Sequence, residues 1–146
     1  MDNKINIENY SKSLFSKLSS YGFSEALVNK DRWEITKINW LRKEISLELV
    51  LDWRENAVDF IFVRLVNGKM PNGYLMSDGK PCRYYLEKLV RNKSIVFQNN
   101  INKPLSKIRL SSSLEEKIDL YYDVIMSNID SIVEFESTVF SEKLRL

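Results

Sequence analysis

The sequence predicts an α+β fold: an antiparallel sheet of four to six strands packed against N-terminal and C-terminal helices. Three observations predict it. Apolar residues recur at steps of three and four near both ends of the chain. Between Glu25 and Val66 the period falls to two. The connections within that middle stretch are too short for the crossovers that parallel strands need. A chain of 146 residues, 44% hydrophobic and 29% charged, suits one domain over 1–146 with a core and a solvated surface.

The first element is NIENYSKSLFSKLSSYGF. Ile7, Tyr10, Leu14, Leu18 and Tyr21 lie on one face of an amphipathic helix. Gly22 can take the left-handed conformation that ends it, with Phe23 as the apolar contact beyond. Ala26 and Val28 suggest a first strand. RWEITKINWL reads as a second, and its two tryptophans on opposite faces imply a bulge or burial on both sides.

ISLELVLDW alternates. Ile45, Leu47, Leu49, Leu51 and Trp53 point one way; Ser46, Glu48, Val50 and Asp52 point the other, toward solvent. Glu48 and Asp52 stand about 13 Å apart by strand rise, too far to act as a paired acid and base on one bond. AVDFIFVRLV is apolar on both faces, as a central strand would be. Only Arg54, Glu55 and Asn56 separate the two runs, so they form an antiparallel hairpin that serves as scaffold.

Residues 67–81 hold three of the four glycines and two of the three prolines, and read as one long irregular loop. Within it, Gly73 to Lys80 comes close to a phosphate-binding loop. Five residues intervene where four are needed, and Pro81 stands in place of the magnesium-binding hydroxyl, so that reading fails. Pro81 can open a helix, CRYYLEKLVRN, with Cys82, Tyr85, Leu86, Leu89 and Val90 inward. SIVFQ and KIRL read as short strands. An exposed edge at SIVFQ would allow a homodimer by strand addition. Ser113 and Glu116 form a capping box at the start of the longest helix, which runs to about Phe140 with a break near Phe135.

Composition excludes several chemistries. With no histidine there is no imidazole base, Ser–His or Cys–His pair, or histidine metal ligand, and a single cysteine cannot build a zinc site or an internal disulfide. No catalytic, cofactor-binding or metal-binding residue is assigned. An enzyme would have to work through carboxylates, lysine or tyrosine. The sequence shows neither a signal peptide nor a membrane-spanning run, and a cytoplasmic location is expected.

Charge is segregated. Residues 81–110 carry seven basic side chains against Glu87, whereas 111–146 carry eight acidic and three basic ones. On the last helix Glu116, Asp119, Asp123, Asp130 and Glu134 fall in one narrow sector, opposite Leu114, Ile118, Tyr121, Ile125, Ile129 and Ile132. Three readings stand: a plain solvated face, a docking surface for a basic partner, or a face neutralised by the basic 81–110 segment. In that segment Arg83, Tyr84, Tyr85, Lys88, Arg91 and Lys93 interleave cations with aromatics, as single-strand nucleic-acid sites do. A formal net charge of +2 argues against a phosphate binder, so nucleic acid is the alternative partner.

The helix closing on YGF, the paired ISLELVLDWRE and VDFIFVRL, the Gly/Pro loop, YYLEKLV and the acidic last helix together resemble small immunity proteins of bacterial polymorphic and contact-dependent toxin systems. The resemblance spans most of the chain. It implies a non-enzymatic protein without cofactors that binds one cognate toxin, often covering a basic nuclease site with an acidic surface. It would give the carboxylate sector a use, with the 67–80 loop as a second contact.

Overall fold

The computed structural model describes residues 3–97, 102–111 and 113–141. Five strands form one antiparallel sheet: β1 (Leu27–Lys30), β2 (Ile35–Leu41), β3 (Ile45–Asp52), β4 (Ala57–Arg64) and, pairing with β4 at its far edge, a strand at Arg83–Tyr85. Between β4 and that edge strand lies a two-stranded hairpin, β5 (Met76–Ser77) and β6 (Lys80–Pro81), which makes Arg83–Tyr85 β7. The helices are α1 (Asn3–Leu14), α2 (Leu86–Arg91), α3 (Asn102–Leu110), α4 (Leu114–Ser127) and α5 (Ile129–Glu134). The α+β architecture read from sequence is therefore the observed one.

Alternation in β3 drives the packing. Ile45, Leu47, Leu49 and Leu51 are fully buried, and the three leucines pair across to Phe62, Phe60 and Val58 on β4. Above this apolar floor lie Ile7, Phe15 and Leu18 from the N-terminal region. Ile118, Tyr121, Val124, Ile125, Ile129 and Ile132 descend from α4 and α5. Phe15 is the hub. Its ring centroid lies 4.9 Å from Trp40 on β2, 5.6 Å from Phe60 on β4 and 5.3 Å from Tyr122 on α4. The expected helical face omits Phe15 because the chain tightens into a 3₁₀ helix over Phe15–Tyr21, where a period of three aligns Phe15, Leu18 and Tyr21. Tyr10 is correspondingly not a core residue; it is exposed. Gly22 ends this segment at φ 87°, and the Phe23 N–H donates to the Leu18 carbonyl at 3.3 Å.

Four expectations on the strands need correction. Trp33 sits exposed in the β1–β2 turn and β2 pairs with β3 without a bulge, although β2 does bury both sides, Ile38 and Trp40 on one and Asn39 on the other. Residues 83–85 are strand and the helix begins only at Leu86, because β4 has an open edge and Tyr84–Tyr85 suit extended backbone. That register puts Tyr84 in the core, stacked 4.8 Å from Phe140, and leaves Tyr85 exposed rather than inward. SIVFQ is not a strand either: over 94–97 the chain turns, burying Val96 and Phe97, while Gln98 lies outside the described residues. KIRL is the end of α3, so neither segment offers an edge for dimerisation.

The larger correction concerns the second face of the sheet. Glu48 does not point to solvent; its relative exposure is 0%. Strand register aligns Asn39, Glu48, Ile61 and Tyr85 in one row across that face, with Arg83 diagonally beside Glu48. The Arg83 Nε lies 3.3 Å from Glu48 Oε1. Residues 67–82 fold back as a cover. Tyr74 places its ring 4.7 Å from the Arg83 guanidinium and 4.8 Å from the Lys37 ammonium. Arg83 Nη1 also donates to the carbonyls of Gly73 and Tyr74. Gly73 is required there, since a Cβ would meet the Met76 carbonyl oxygen at 1.8 Å. The buried thiol of Cys82 rests on the same two carbonyls, at 3.5 Å and 3.2 Å. Asp78 and Gly79, with φ of 54° and 73°, make the tight turn between β5 and β6. The expected irregular loop is thus largely an ordered lid.

The C-terminal region closes on the β2–β3 turn through Glu136, which is ion-paired with Arg42 and accepts the Glu44 N–H at 3.2 Å. Arg42 Nε in turn donates to the Tyr21 carbonyl at 2.9 Å. One carboxylate therefore ties three segments together. Phe15→Ala should cost about 3–5 kcal/mol in urea denaturation, since it empties a site that three aromatic rings share. Glu136→Ala should cost about 3 kcal/mol by leaving Arg42 and the Glu44 amide unpaired.

Candidate protein-binding face

The acidic sector is built by α4 and α5. Ser113 caps α4, its Oγ accepting the Glu116 N–H at 3.3 Å. The reciprocal half of the capping box is absent. The Ser113 N–H donates instead to Ser111 Oγ at 3.2 Å, which leaves the Glu116 carboxylate exposed to solvent. The long helix breaks at Asn128, earlier than expected, and again after Glu134. Asn128 is buried, and its amide donates to the Val124 carbonyl at 2.8 Å. That local bond competes with the helical ladder.

The break does not change the phase of the face. Ile118, Tyr121, Ile125, Ile129 and Ile132 are buried. Glu116, Asp123, Asp130 and Glu134 are exposed, and Asp119 is half-buried. The structure thus brings all five predicted residues to the outer side of the α4–α5 pair. Among the described residues no lysine or arginine comes within ion-pair distance of any of them. Asp119 has one neutral partner, the hydroxyl of Tyr10, which reaches across from α1. That hydrogen bond, with burial and the charges of Asp119, Glu115 and Asp123, pushes the Tyr10 hydroxyl up to about 12.

Among its described residues, the basic segment does not neutralise the row. Arg83 is spent on Glu48 beneath the lid, and Tyr84 is in the core, so the expected interleaving of cations and aromatics is not presented on one surface. What remains is a shallow groove between α2 and α3, lined by Arg91, Lys93 and Arg109.

A separate cluster of two carboxylates and a tyrosine gathers where α2 begins, with Glu87 of α2, Asp59 of β4 and Tyr121 of α4. Tyr121 donates its hydroxyl proton to Glu87, and burial followed by the Glu87 charge raises its pKa. Asp59 is half-buried nearby. Burial first, then the charges of Glu87 and Asp52, raise its carboxyl above the usual range, and Lys117 opposes them. Among the described residues no three metal-ligating side chains gather to hold an ion, and no helix is long and apolar enough to cross a membrane.

Two tests follow. Asp123→Asn should stabilise the fold by a few tenths of a kcal/mol, roughly the cost of like charges one turn apart, and added salt should erase the gain. Asp59→Asn should stabilise it at neutral pH. The raised folded-state pKa means that protonation favours the native state, so the advantage over wild type should shrink as pH falls through that pKa. Thermal denaturation over a pH and salt series checks both. No protein-family model, curated protein or solved structure matches the chain.

Proposed function

We propose that the protein is a non-enzymatic binding module that neutralises a protein partner, a cognate bacterial toxin, in the cytoplasm. Glu116, Asp119, Asp123, Asp130 and Glu134 are its recognition face. The observation that carries the reading is the row itself: five carboxylates on one side of α4–α5, with no cation at ion-pair distance among the described residues. Repulsion between such groups costs stability, which a solvated helix could avoid by mixing in lysine. A basic protein surface would relieve that repulsion on docking, and the field of the row would speed encounter. The architecture-level resemblance to immunity proteins names the kind of partner. Leu75 and Met76, exposed at the 67–80 lid, are the apolar groups a second contact would use.

The alternative is a nucleic-acid-binding accessory protein, which the groove of Arg91, Lys93 and Arg109 favours. Retention on heparin that Arg91→Glu and Arg109→Glu abolish would support it.

The test of the leading reading screens the open reading frames adjoining this gene for one whose product arrests growth, and co-expresses that product with the protein. Wild-type protein should rescue growth. The variant Glu116→Lys/Asp123→Lys/Asp130→Lys, which leaves the Tyr10–Asp119 bond in place, should keep the circular dichroism spectrum. Its association rate at low salt should fall about tenfold or more, approaching wild type at high salt. An unchanged rate across the salt series would remove the face from the interface.

A further inference from the structure

The back of the sheet carries a cavity of about 370 Å³ between β1, the β2–β3 strands and the lid, with Leu27, Val28, Met70 and Pro71 as its apolar wall. We propose that it binds a small zwitterion of the α-amino-acid type with an apolar side chain. Its use would be independent of the acidic face.

The polar wall is the reason. Glu48, Asn39, Lys37 and Arg83 line the cavity together. Glu48 is fully buried; Arg83 takes its Oε1, and its Oε2 has no hydrogen-bond partner. A charged oxygen left unmatched in the interior is costly, and buried ion pairs rarely add net stability. Asn39 is 6% exposed, and its Oδ1 accepts the Ser46 hydroxyl at 2.8 Å. Its amide nitrogen has no hydrogen bond among the described residues. Lys37 has no carboxylate at ion-pair distance among the described residues and rests on the Tyr74 ring.

The wall therefore offers one unmatched anionic acceptor, one unmatched amide donor and one unpaired cation. With Arg83 and Glu48 cancelling, Lys37 leaves the site positive, so a simple amine is a poor fit. A bare carboxylate would leave Glu48 unmatched. A molecule that carries both groups answers each. Its ammonium donates to Glu48 Oε2, and its carboxylate accepts from Asn39 and Lys37. Its side chain lies along Leu27, Val28, Met70 and Pro71. Oε2 has less than 1 Å² open to a water-sized probe, so the ammonium reaches it as the Glu48 side chain turns toward the cavity that this residue lines.

The probe is L-leucine, added to the full chain while backbone amide shifts are followed by NMR. Saturable shifts at Asn39, Glu48 and Met70 are expected. 3-Methylbutylamine, which lacks the carboxylate, and N-acetyl-L-leucine, which lacks the ammonium, should each bind about tenfold more weakly, the loss expected for one charge-assisted hydrogen bond. Glu48→Gln should weaken leucine to the level of the N-acetyl compound. Should that variant not fold, Lys37→Ala at the rim decides: it must weaken leucine while leaving the amine unchanged. No saturation by leucine at millimolar concentration overturns the proposal and leaves water as the occupant. Equal binding of all three compounds overturns it too, since the pocket would then select only apolar bulk.

Discussion

Strand β4 is apolar on both of its faces, and the helices cover only one. Helices α1, α4 and α5 roof the face of Leu47, Leu49, Phe60 and Phe62. On the other face Ile61 and Val63 are equally buried, and among the described residues they lie outside the helix-covered core. The chain between β4 and β7 meets this need by folding back over the sheet, held by Arg64 and Arg83 donating to lid carbonyls. A lid made of backbone and turns brings polar groups inside with it. Glu48, Asn39 and Ser46 lie beneath it, and Arg83 links the sheet to the lid. Such groups are tolerable only where each finds a partner. Most do.

The opposite side of the molecule shows a different compromise. The roofing helices put every large aliphatic residue of α4–α5 inward, so their outer side is free to carry whatever charge is useful. What it carries is uniformly negative. Glu136, just beyond α5, differs in being buried and paired with Arg42. Glu136 thus holds the fold and Asp119 takes the Tyr10 hydroxyl, whereas Glu116, Asp123, Asp130 and Glu134 have no side-chain partner among the described residues. Residues with no structural task and some structural cost are where binding surfaces are commonly found.

Much of this was legible in the sequence. Alternation in ISLELVLDW and the short connection to AVDFIFVRLV gave the hairpin, and seven-residue spacing gave the acidic face. What escaped was tertiary. Reading Glu48 as solvated conflicted with reading β4 as covered on both sides, because neighbouring strands share their faces. Strand pairing of 83–85 depended on an open edge that no local pattern reveals. The ordered lid did leave a trace: Asn67–Gly68 and Asp78–Gly79 are both dipeptides suited to positive φ, and the structure uses both so, at 53° and 75° and at 54° and 73°. The Phe15 hub stayed hidden because a helical period of 3.6 was assumed where the chain turns with three.

Cys82, sealed beneath the lid against the Gly73 and Tyr74 carbonyls, is the chain's single cysteine. A thiol so enclosed cannot meet an alkylating reagent until residues 73–75 lift away from it. Its labelling rate, with no engineered probe, would therefore clock the breathing of the sheet's covered side. A small molecule lodged under the lid would slow that clock.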